Sequence, residues 1–342
     1  MEREMNIRIL KETIVQLFAD GKGVLAMDES NGTCNKRFAA AGIAQTVEMR
    51  RKYRDLIVTT PGLSEFIGGA ILYDETIRQQ TQNGIPFAEH LINIGIIPGI
   101  KVDSGAKAMA AFPGEKVTEG LDGMRERLQY YKKMGAGFAK WRAVITIGDG
   151  IPTTACIEAN IHALARYAAL CQEADIVPII EPEVLMEGNH SMERCYQVTE
   201  HVLKMLFYQL YIQNVNLEGM ILKPNMVIAG TDGTQNTVDE VADATVHCLL
   251  ASVPSAVPAI AFLSGGQSPE EAAAHLNAIH KHVGRLPWIV SFSFARAIQQ
   301  PALDAWKGLE PNVQEAQKLL YLRTKYDAAA RRGEYMKEVI KL

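Results

Sequence analysis

The sequence predicts an α/β protein of the TIM (β/α)8 barrel class, and three observations favour this fold. Short apolar runs rich in Ile and Val occur eight times along 342 residues, helical patterns lie between them, and ionisable residues follow the runs at a regular spacing. Eight βα units within about 300 residues suit a closed parallel barrel. A doubly wound open sheet is the competing topology from the pattern alone.

The apolar runs predict strands that are buried on both faces, as in parallel sheets. They span residues 23–29, 66–75, 96–103, 138–144, 176–184, 219–226, 259–266 and 288–296.

The segments between the strands carry helical periodicity, and several begin with a Ser, Thr or Asp cap. Examples are residues 120–134, 153–174, 192–213, 239–251 and 269–281. Residues 1–20 predict an amphipathic helix outside the barrel, and residues 311–342 predict a C-terminal helix and tail. No linker or compositional break separates these parts, so one catalytic domain is expected over residues 1–342.

Charge and composition argue against several classes of partner. Lysine plus arginine number 35 against 39 for aspartate plus glutamate, and the net charge of −4 provides no electrostatic footprint for nucleic acid or an anionic membrane. The N-terminus is charged, and nowhere do about 18 uncharged apolar residues run together. The five cysteines are scattered without a Cys-x-x-Cys pair. We therefore expect a cytoplasmic protein with reduced thiols.

Polar and ionisable residues near the C-terminal ends of the strands are the main functional signal. They are Asp28, Lys101, Lys140, Glu181 and Lys223, followed by Ser264 and Ser293 in the last two strands. From Lys101 to Ser264 the successive steps are 39, 41, 42 and 41 residues, each about one βα unit. The regular spacing predicts a common position on the C-terminal rim, where barrels hold catalytic groups.

Two residue pairs on neighbouring strands are expected to face the same way. Lys140 and Arg142 share one side of their strand, and Glu181 and Glu183 share one side of the next, because side chains alternate along a strand. A lone charged residue in an apolar run is usually at the surface or part of a structural ion pair. Several such residues in register favour function.

This set of residues predicts imine chemistry. A buried lysine near a second cation loses its proton more readily, and a neutral amine is a nucleophile toward carbonyls. We expect Lys223 to be that amine and Lys140 to be the second cation. Glu181 and Asp28 could transfer the protons that such a reaction requires.

The last two strands carry a signal for phosphate binding. Ser264-Gly265-Gly266 should leave backbone N–H groups free and lead into a helix near residue 269. Ser293 and Arg296 follow at the eighth strand, where barrels commonly hold phosphate. A plain turn is the alternative for the two glycines. Lys36 and Arg37, after the first strand, could bind a second phosphate.

Neither a metal site nor a nucleotide cofactor is predicted. The eight histidines are dispersed, and the close pair His280 and His282 has a spacing that points the rings apart on a helix. The chain lacks the Gly-x-Gly-x-x-Gly and Walker patterns.

The ordered motifs resemble class I fructose-bisphosphate aldolase from about residue 21 to 308. The matching segments are Leu25-Ala26-Met27-Asp28-Glu29-Ser30-Asn31-Gly32-Thr33, Gly99-Ile100-Lys101-Val102-Asp103, Phe138-Ala139-Lys140-Trp141-Arg142, Val177-Pro178-Ile179-Ile180-Glu181-Pro182-Glu183, Leu222-Lys223-Pro224-Asn225-Met226 and Phe262-Leu263-Ser264-Gly265-Gly266-Gln267-Ser268.

The resemblance implies metal-independent cleavage of fructose 1,6-bisphosphate, in glycolysis and gluconeogenesis, through an imine on Lys223. Asp28 and Glu181 would handle protons, and the sequence leaves open which of them takes the C4 hydroxyl proton. Lys140 would hold substrate hydroxyls. The positions that match other family site residues fall into three groups: the substrate contacts Lys101, Ser30, Thr33 and Arg37; the supporting pair Glu183 and Arg142; and the C1-phosphate site Ser264, Gly265, Ser293 and Arg296.

Two departures from the family pattern bear on these expectations. Ala295 stands where the family commonly has glycine. The terminal tyrosine that animal and plant members use near the enamine is missing, since the chain ends at Leu342 and its last tyrosine is Tyr335. A homotetramer is implied by the resemblance, with dimer or monomer left open. A wider range of sugar phosphates (sedoheptulose 1,7-bisphosphate or fructose 1-phosphate) and a non-catalytic sugar-phosphate-binding scaffold remain alternative functions.

Overall fold

Eight parallel strands close into a barrel in the computed structural model, which describes residues 2–282 and 286–336. The strands are β1 Gly23–Ala26, β2 Ile67–Leu72, β3 Ile97–Lys101, β4 Ala106–Ala108, β5 Lys116–Thr118, β6 Phe138–Ile145, β7 Val177–Val184, β8 Ile221–Leu222, β9 Ala259–Phe262 and β10 Ile289–Phe294. The barrel order is β1-β10-β9-β8-β7-β6-β3-β2, so the closed barrel is confirmed and the open sheet is excluded.

The eight predicted strands are all present, and most are shorter than the apolar runs. β8 keeps only two residues, although the N–H of Lys223 still donates to the carbonyl of Ile180 in β7 at 2.8 Å. The antiparallel hairpin of β4 and β5 lies outside the barrel and was not predicted. Its segments are short and mostly exposed, so they lack the apolar run that marks a buried strand.

Twelve α-helices accompany the strands in the described part of the chain. They are α1 Glu2–Leu17, α2 Asn31–Ala40, α3 Val47–Val58, α4 Asp74–Ile77, α5 Phe87–Asn93, α6 Met124–Lys133, α7 Thr154–Glu173, α8 Met192–Ile212, α9 Val238–Ser252, α10 Pro269–His282, α11 Arg296–Trp306 and α12 Val313–Arg331. Thr153, Ser191 and Thr237 cap the N-termini of α7, α8 and α9 through their side chains, as the sequence suggested.

Helix α1 covers the N-terminal end of the barrel. Leu10, Ile14 and Leu17 are buried and belong to one apolar cluster with interior residues such as Val177. The approach is close, since a Cβ atom at Gly68 would lie 2.1 Å from the carbonyl oxygen of Leu17. The helix predicted outside the barrel therefore closes the barrel at the end opposite the rim.

The ring of Phe138 fills part of the lower interior of the barrel, in one apolar cluster with Val24 and Ile71. A Cβ atom at Gly99 would lie 2.2 Å from this ring. The glycine therefore leaves the room that the ring occupies. The charged side chains of the rim thus stand on a closed apolar layer that separates them from water below.

The C-terminal region packs on the outer shell. Helix α12 contacts α10 and α11, and Arg331 near its end donates to the main-chain oxygens of Lys22 and Phe18. The predicted tail at Lys341 and Leu342 lies outside the described residues. None of the described helices is long and apolar enough to cross a membrane.

Candidate active site

Strand register places the predicted rim residues beside one another. Lys101 pairs with Lys140 across β3 and β6, and Arg142 pairs with Glu181 across β6 and β7. Asp28 comes two residues after β1. Because side chains alternate along each strand, the charged residues of β6 and β7 enter the mouth of the barrel together.

Four buried side chains form a chain of contacts at the centre of the mouth, which we call the central cluster: Asp28, Lys140, Glu181 and Lys223. The Nζ atom of Lys140 lies 2.7 Å from Oδ2 of Asp28 and 3.0 Å from Oε2 of Glu181. The Nζ atom of Lys223 lies 3.1 Å from Oε1 of Glu181. One carboxylate, that of Glu181, therefore contacts both lysines.

The electrostatics of this cluster follow from burial and close pairing. Burial raises the pKa of Asp28, but Lys140 and Lys223 outweigh it and lower the value to about 2. Burial likewise raises the pKa of Glu181, and the same two lysines bring it below its usual value. Burial lowers the pKa of Lys140, but Asp28 and Glu181 raise it far above that of a free lysine. Lys140 therefore carries a permanent charge, held by two carboxylates.

Two further cation–carboxylate pairs flank the central cluster. Arg142 pairs with Glu183 through its Nε atom, and Lys101 donates to the carboxylate of Asp103. Asp103 is the rim residue whose role the sequence did not show. The spacing could have indicated that the two side chains interact, because Asp103 follows Lys101 by two residues and so points to the same side of the chain.

The N-terminus of α2 brings two predicted contact residues to the rim and turns a third away. Ser30 caps the helix by accepting from the N–H of Thr33 at 3.3 Å, and both side chains are partly exposed. Arg37 instead pairs with Glu29 and donates to the side chain of Gln300 at 3.1 Å. Its guanidinium is thus already engaged inside the protein, as is that of Arg54, which also pairs with Glu29.

The loop after β9 and the start of α11 meet at the positions where the sequence predicts phosphate binding. Gly265 and Gly266 have φ values of 59° and 94°, and no N–H of either is bonded to another described residue. The Nη2 atom of Arg296 would lie 3.3 Å from a Cβ atom at Gly266. Ser293 is 1% exposed, and its Oγ atom has no hydrogen-bond partner in the described chain. Free N–H groups beside an arginine, with an unpaired hydroxyl on the neighbouring strand, suit an anion.

Helix α10 begins at Pro269, as the sequence predicted, and side chains cap its first turn. Ser268 and Glu271 cap it reciprocally, with the N–H of Glu271 donating to Oγ of Ser268 at 3.2 Å. The N–H of Gln267 donates to the carbonyl of Ser264 at 3.0 Å. These N–H groups are therefore used within the protein, whereas those of Gly265 and Gly266 have no partner among the described residues.

The histidine pair noted in the sequence lies at the end of α10. His280 is half-buried, and burial lowers its pKa to about 4; the side chain of His282 lies outside the described part. Over the described ranges no group of three or more His, Cys, Asp or Glu side chains could hold a metal ion.

Comparisons with known proteins agree with one another. The family model for fructose-bisphosphate aldolase class I of glycolysis matches residues 9–341. A probable fructose-bisphosphate aldolase class 1 of Xanthomonas campestris is 56% identical over 97% of this chain and 99% of its own length. The cytosolic fructose-bisphosphate aldolase 4 of Arabidopsis thaliana is 47% identical over 92% of this chain and 80% of its own. A solved fructose-bisphosphate aldolase of Plasmodium falciparum, 44% identical, superposes with a TM-score of 0.95 over 97% of this chain and 96% of that one.

Proposed function

The chain belongs to the class I fructose-bisphosphate aldolase family, and from this we propose that Lys223 is the amine that binds the substrate covalently. The reaction is the reversible aldol cleavage of fructose 1,6-bisphosphate to dihydroxyacetone phosphate and glyceraldehyde 3-phosphate through a lysine Schiff base. The observation that carries the assignment is the 3.1 Å contact between Lys223 and Glu181 in a buried cluster.

The first step is capture of the ketone. The Nζ atom of Lys223 attacks C2, and the carbinolamine loses its hydroxyl as water to give an iminium ion. Glu181 contacts the attacking amine, so it is positioned to take a proton from the nitrogen and to return one to the leaving oxygen. The charge of Lys140, fixed by Asp28 and Glu181, is available to bind a substrate hydroxyl or its developing anion.

The second step breaks the C3–C4 bond. As the C4 hydroxyl gives up its proton to the carboxylates of the cluster, its oxygen becomes an aldehyde and the bonding pair moves toward the iminium nitrogen. Glyceraldehyde 3-phosphate leaves, and the enamine on Lys223 is protonated at C3. Water then attacks the iminium and releases dihydroxyacetone phosphate. Asp28 has a pKa of about 2 and lies next to Lys140, so it is ionised before the substrate binds and is able to accept a proton, as is Glu181.

Borohydride trapping tests the assignment directly. Dihydroxyacetone phosphate with borohydride should reduce the imine and leave a stable adduct on Lys223, located by peptide mass mapping, while EDTA should leave turnover unchanged. The separate lysine Lys101, also partly buried at the rim, serves as the internal comparison. An adduct on any other lysine, or sustained loss of activity with EDTA, would contradict the proposal.

The phosphate of C1 is assigned to the loop of Gly265 with Ser264, Ser293 and Arg296. We expect Arg296→Ala to raise the KM for fructose 1,6-bisphosphate about 10- to 100-fold with a smaller change in kcat, because a charge-assisted hydrogen bond to phosphate is lost. Steady-state kinetics of cleavage give both constants. Arg125→Ala, at an exposed arginine paired with Glu173, is the control that should leave KM unchanged.

We further propose that the whole chain acts as one catalytic domain in a cytoplasmic homotetramer. The cytosolic relatives support the location. Tyr208, Tyr211 and Ile212 at the end of α8 are exposed by 64%, 80% and 46%, an apolar surface suited to contact between subunits. Light scattering with size-exclusion chromatography measures the assembly.

A further inference from the structure

Asp103 is a buried carboxylate at the rim that the reaction described above does not use. Its side chain is 2% exposed, and it has polar contacts on both oxygens. Oδ1 accepts from the amine of Lys101 and, at 3.0 Å, from the N–H of Gly105. Oδ2 accepts from the N–H of Arg142 at 3.1 Å. The carbonyl oxygen of Asp103 also accepts from Lys101, at 3.0 Å.

These bonds hold two strands together where their ladder stops. The N–H of Val102 still donates to the carbonyl of Lys140 at 3.1 Å, which continues the pairing of β3 with β6. One step further, the carboxylate of Asp103 takes the place of a strand carbonyl and receives the N–H of Arg142. Asp103 therefore ties the position of Lys101 to the strand that carries Lys140.

Asp103 also completes the charge balance of the mouth. The charged groups joined by these pairs are four cations and four carboxylates: Lys101, Lys140, Arg142 and Lys223, with Asp28, Asp103, Glu181 and Glu183. Burial lowers the pKa of Lys101 and nearby Lys140 lowers it further, whereas Asp103 and Asp28 oppose them. Without Asp103 the partly buried amine of Lys101 would lose the one carboxylate with which it forms an ion pair in the described chain.

We propose that Asp103 is a positioning residue that keeps Lys101 protonated and aimed at the anionic substrate. The inference rests on the proposed function, because it requires Lys101 to contact the sugar phosphate. The N–H groups of Gly105 and Arg142 hold the carboxylate of Asp103 in place. Asp103 therefore presents a fixed partner to the long side chain of Lys101.

A double-mutant cycle separates this role from simple support of the fold. Asp103→Asn keeps the shape of the side chain and removes its charge. We expect it to raise the KM for fructose 1,6-bisphosphate by about tenfold or more in the wild-type background and by less than about threefold beside Lys101→Met, as for coupled neighbours. Asp122→Asn, at an exposed aspartate before α6, is the matched control with no change.

The pH profile supplies a second readout that a structural role would not produce. In Asp103→Asn the amine of Lys101 still faces Lys140 of β6 and Asp28 after β1, and the cation should deprotonate at a lower pH than in the wild type. The ratio of variant to wild-type kcat/KM should therefore rise as the pH falls from about 9 to about 6. A folding defect would lower the ratio without this recovery.

Two results would overturn the positioning role while the enzyme assignment stands: a ratio that is flat with pH, or an equal loss from Asp103→Asn with and without Lys101. Failure of the proposed function would instead appear in the wild-type protein, as absence of a borohydride adduct on Lys223. At saturating dihydroxyacetone phosphate, Asp103→Asn should still form the reduced adduct on Lys223. Such an adduct would show that the variant is folded.

Discussion

Lys223→Met should abolish aldol cleavage, with kcat lowered on the order of 10⁵-fold or more, because the variant lacks the amine to which we assign the imine. Methionine fills nearly the same volume as the lysine, whose side chain is 3% exposed. The barrel should therefore still close. Cleavage of fructose 1,6-bisphosphate, followed by a coupled assay for the triose phosphates, measures the loss.

The control for this experiment is Lys204→Met. Lys204 lies on α8, its side chain is 55% exposed, and it pairs with Glu200, one turn away. Its replacement should leave kcat and KM within about twofold of the wild type, since an exposed pair of this kind contributes little. If Lys223→Met retained turnover, the imine would have to form on another lysine. The proposed mechanism would then be wrong.

Lys140→Met should produce the second largest effect, because it removes the cation that contacts both Asp28 and Glu181. We expect kcat to fall by about 10²- to 10³-fold, the range for loss of a group that stabilises developing negative charge. Stability should fall as well, by about 3–5 kcal/mol, since breaking a buried pair leaves uncompensated charge. Denaturant unfolding and steady-state kinetics measure the two losses separately.

The pH dependence of the loss in stability has a definite sign. In the wild type the pKa of Asp28 is lowered to about 2, so its ion pair stabilises the fold above the ordinary value of 3.8 and is lost as the pH falls toward 2. Without Lys140 the buried carboxylates bind protons more readily. The difference in unfolding free energy between variant and wild type should therefore shrink as the pH is lowered from about 7 to about 4.

The control is Lys318→Met, which removes the charge of an exposed lysine on α12. Its effect on the free energy of unfolding should be small and should not change between about pH 7 and about pH 4. A difference between Lys140→Met and wild type that stays constant with pH would mean that Asp28 and Glu181 find another cation. In that case the central cluster would not depend on Lys140 for its charge state.

Much of the architecture could be predicted from local patterns. The eight apolar runs are the eight barrel strands, and the alternation of side chains placed Lys140 with Arg142 and Glu181 with Glu183. The hairpin of β4 and β5 could not be predicted, because three-residue exposed strands have no periodic signal. The start of α10 near residue 269 was predicted, and the structure adds that Ser268 and Glu271 cap it reciprocally.

The sequence by itself determined which residues share the rim, since a period of two along a strand and one βα unit between strands leave each side chain little choice of direction. Only the tertiary structure decided which charges pair. Lys140 could have been matched by several carboxylates, and the closed barrel places Asp28 and Glu181 within 3.0 Å of it. Arg37 pairs with Glu29 and Lys101 with Asp103 for the same reason. A buried charge needs a counter-charge close by, and the path of the folded chain, not the local spacing of the sequence, decides which one is near enough.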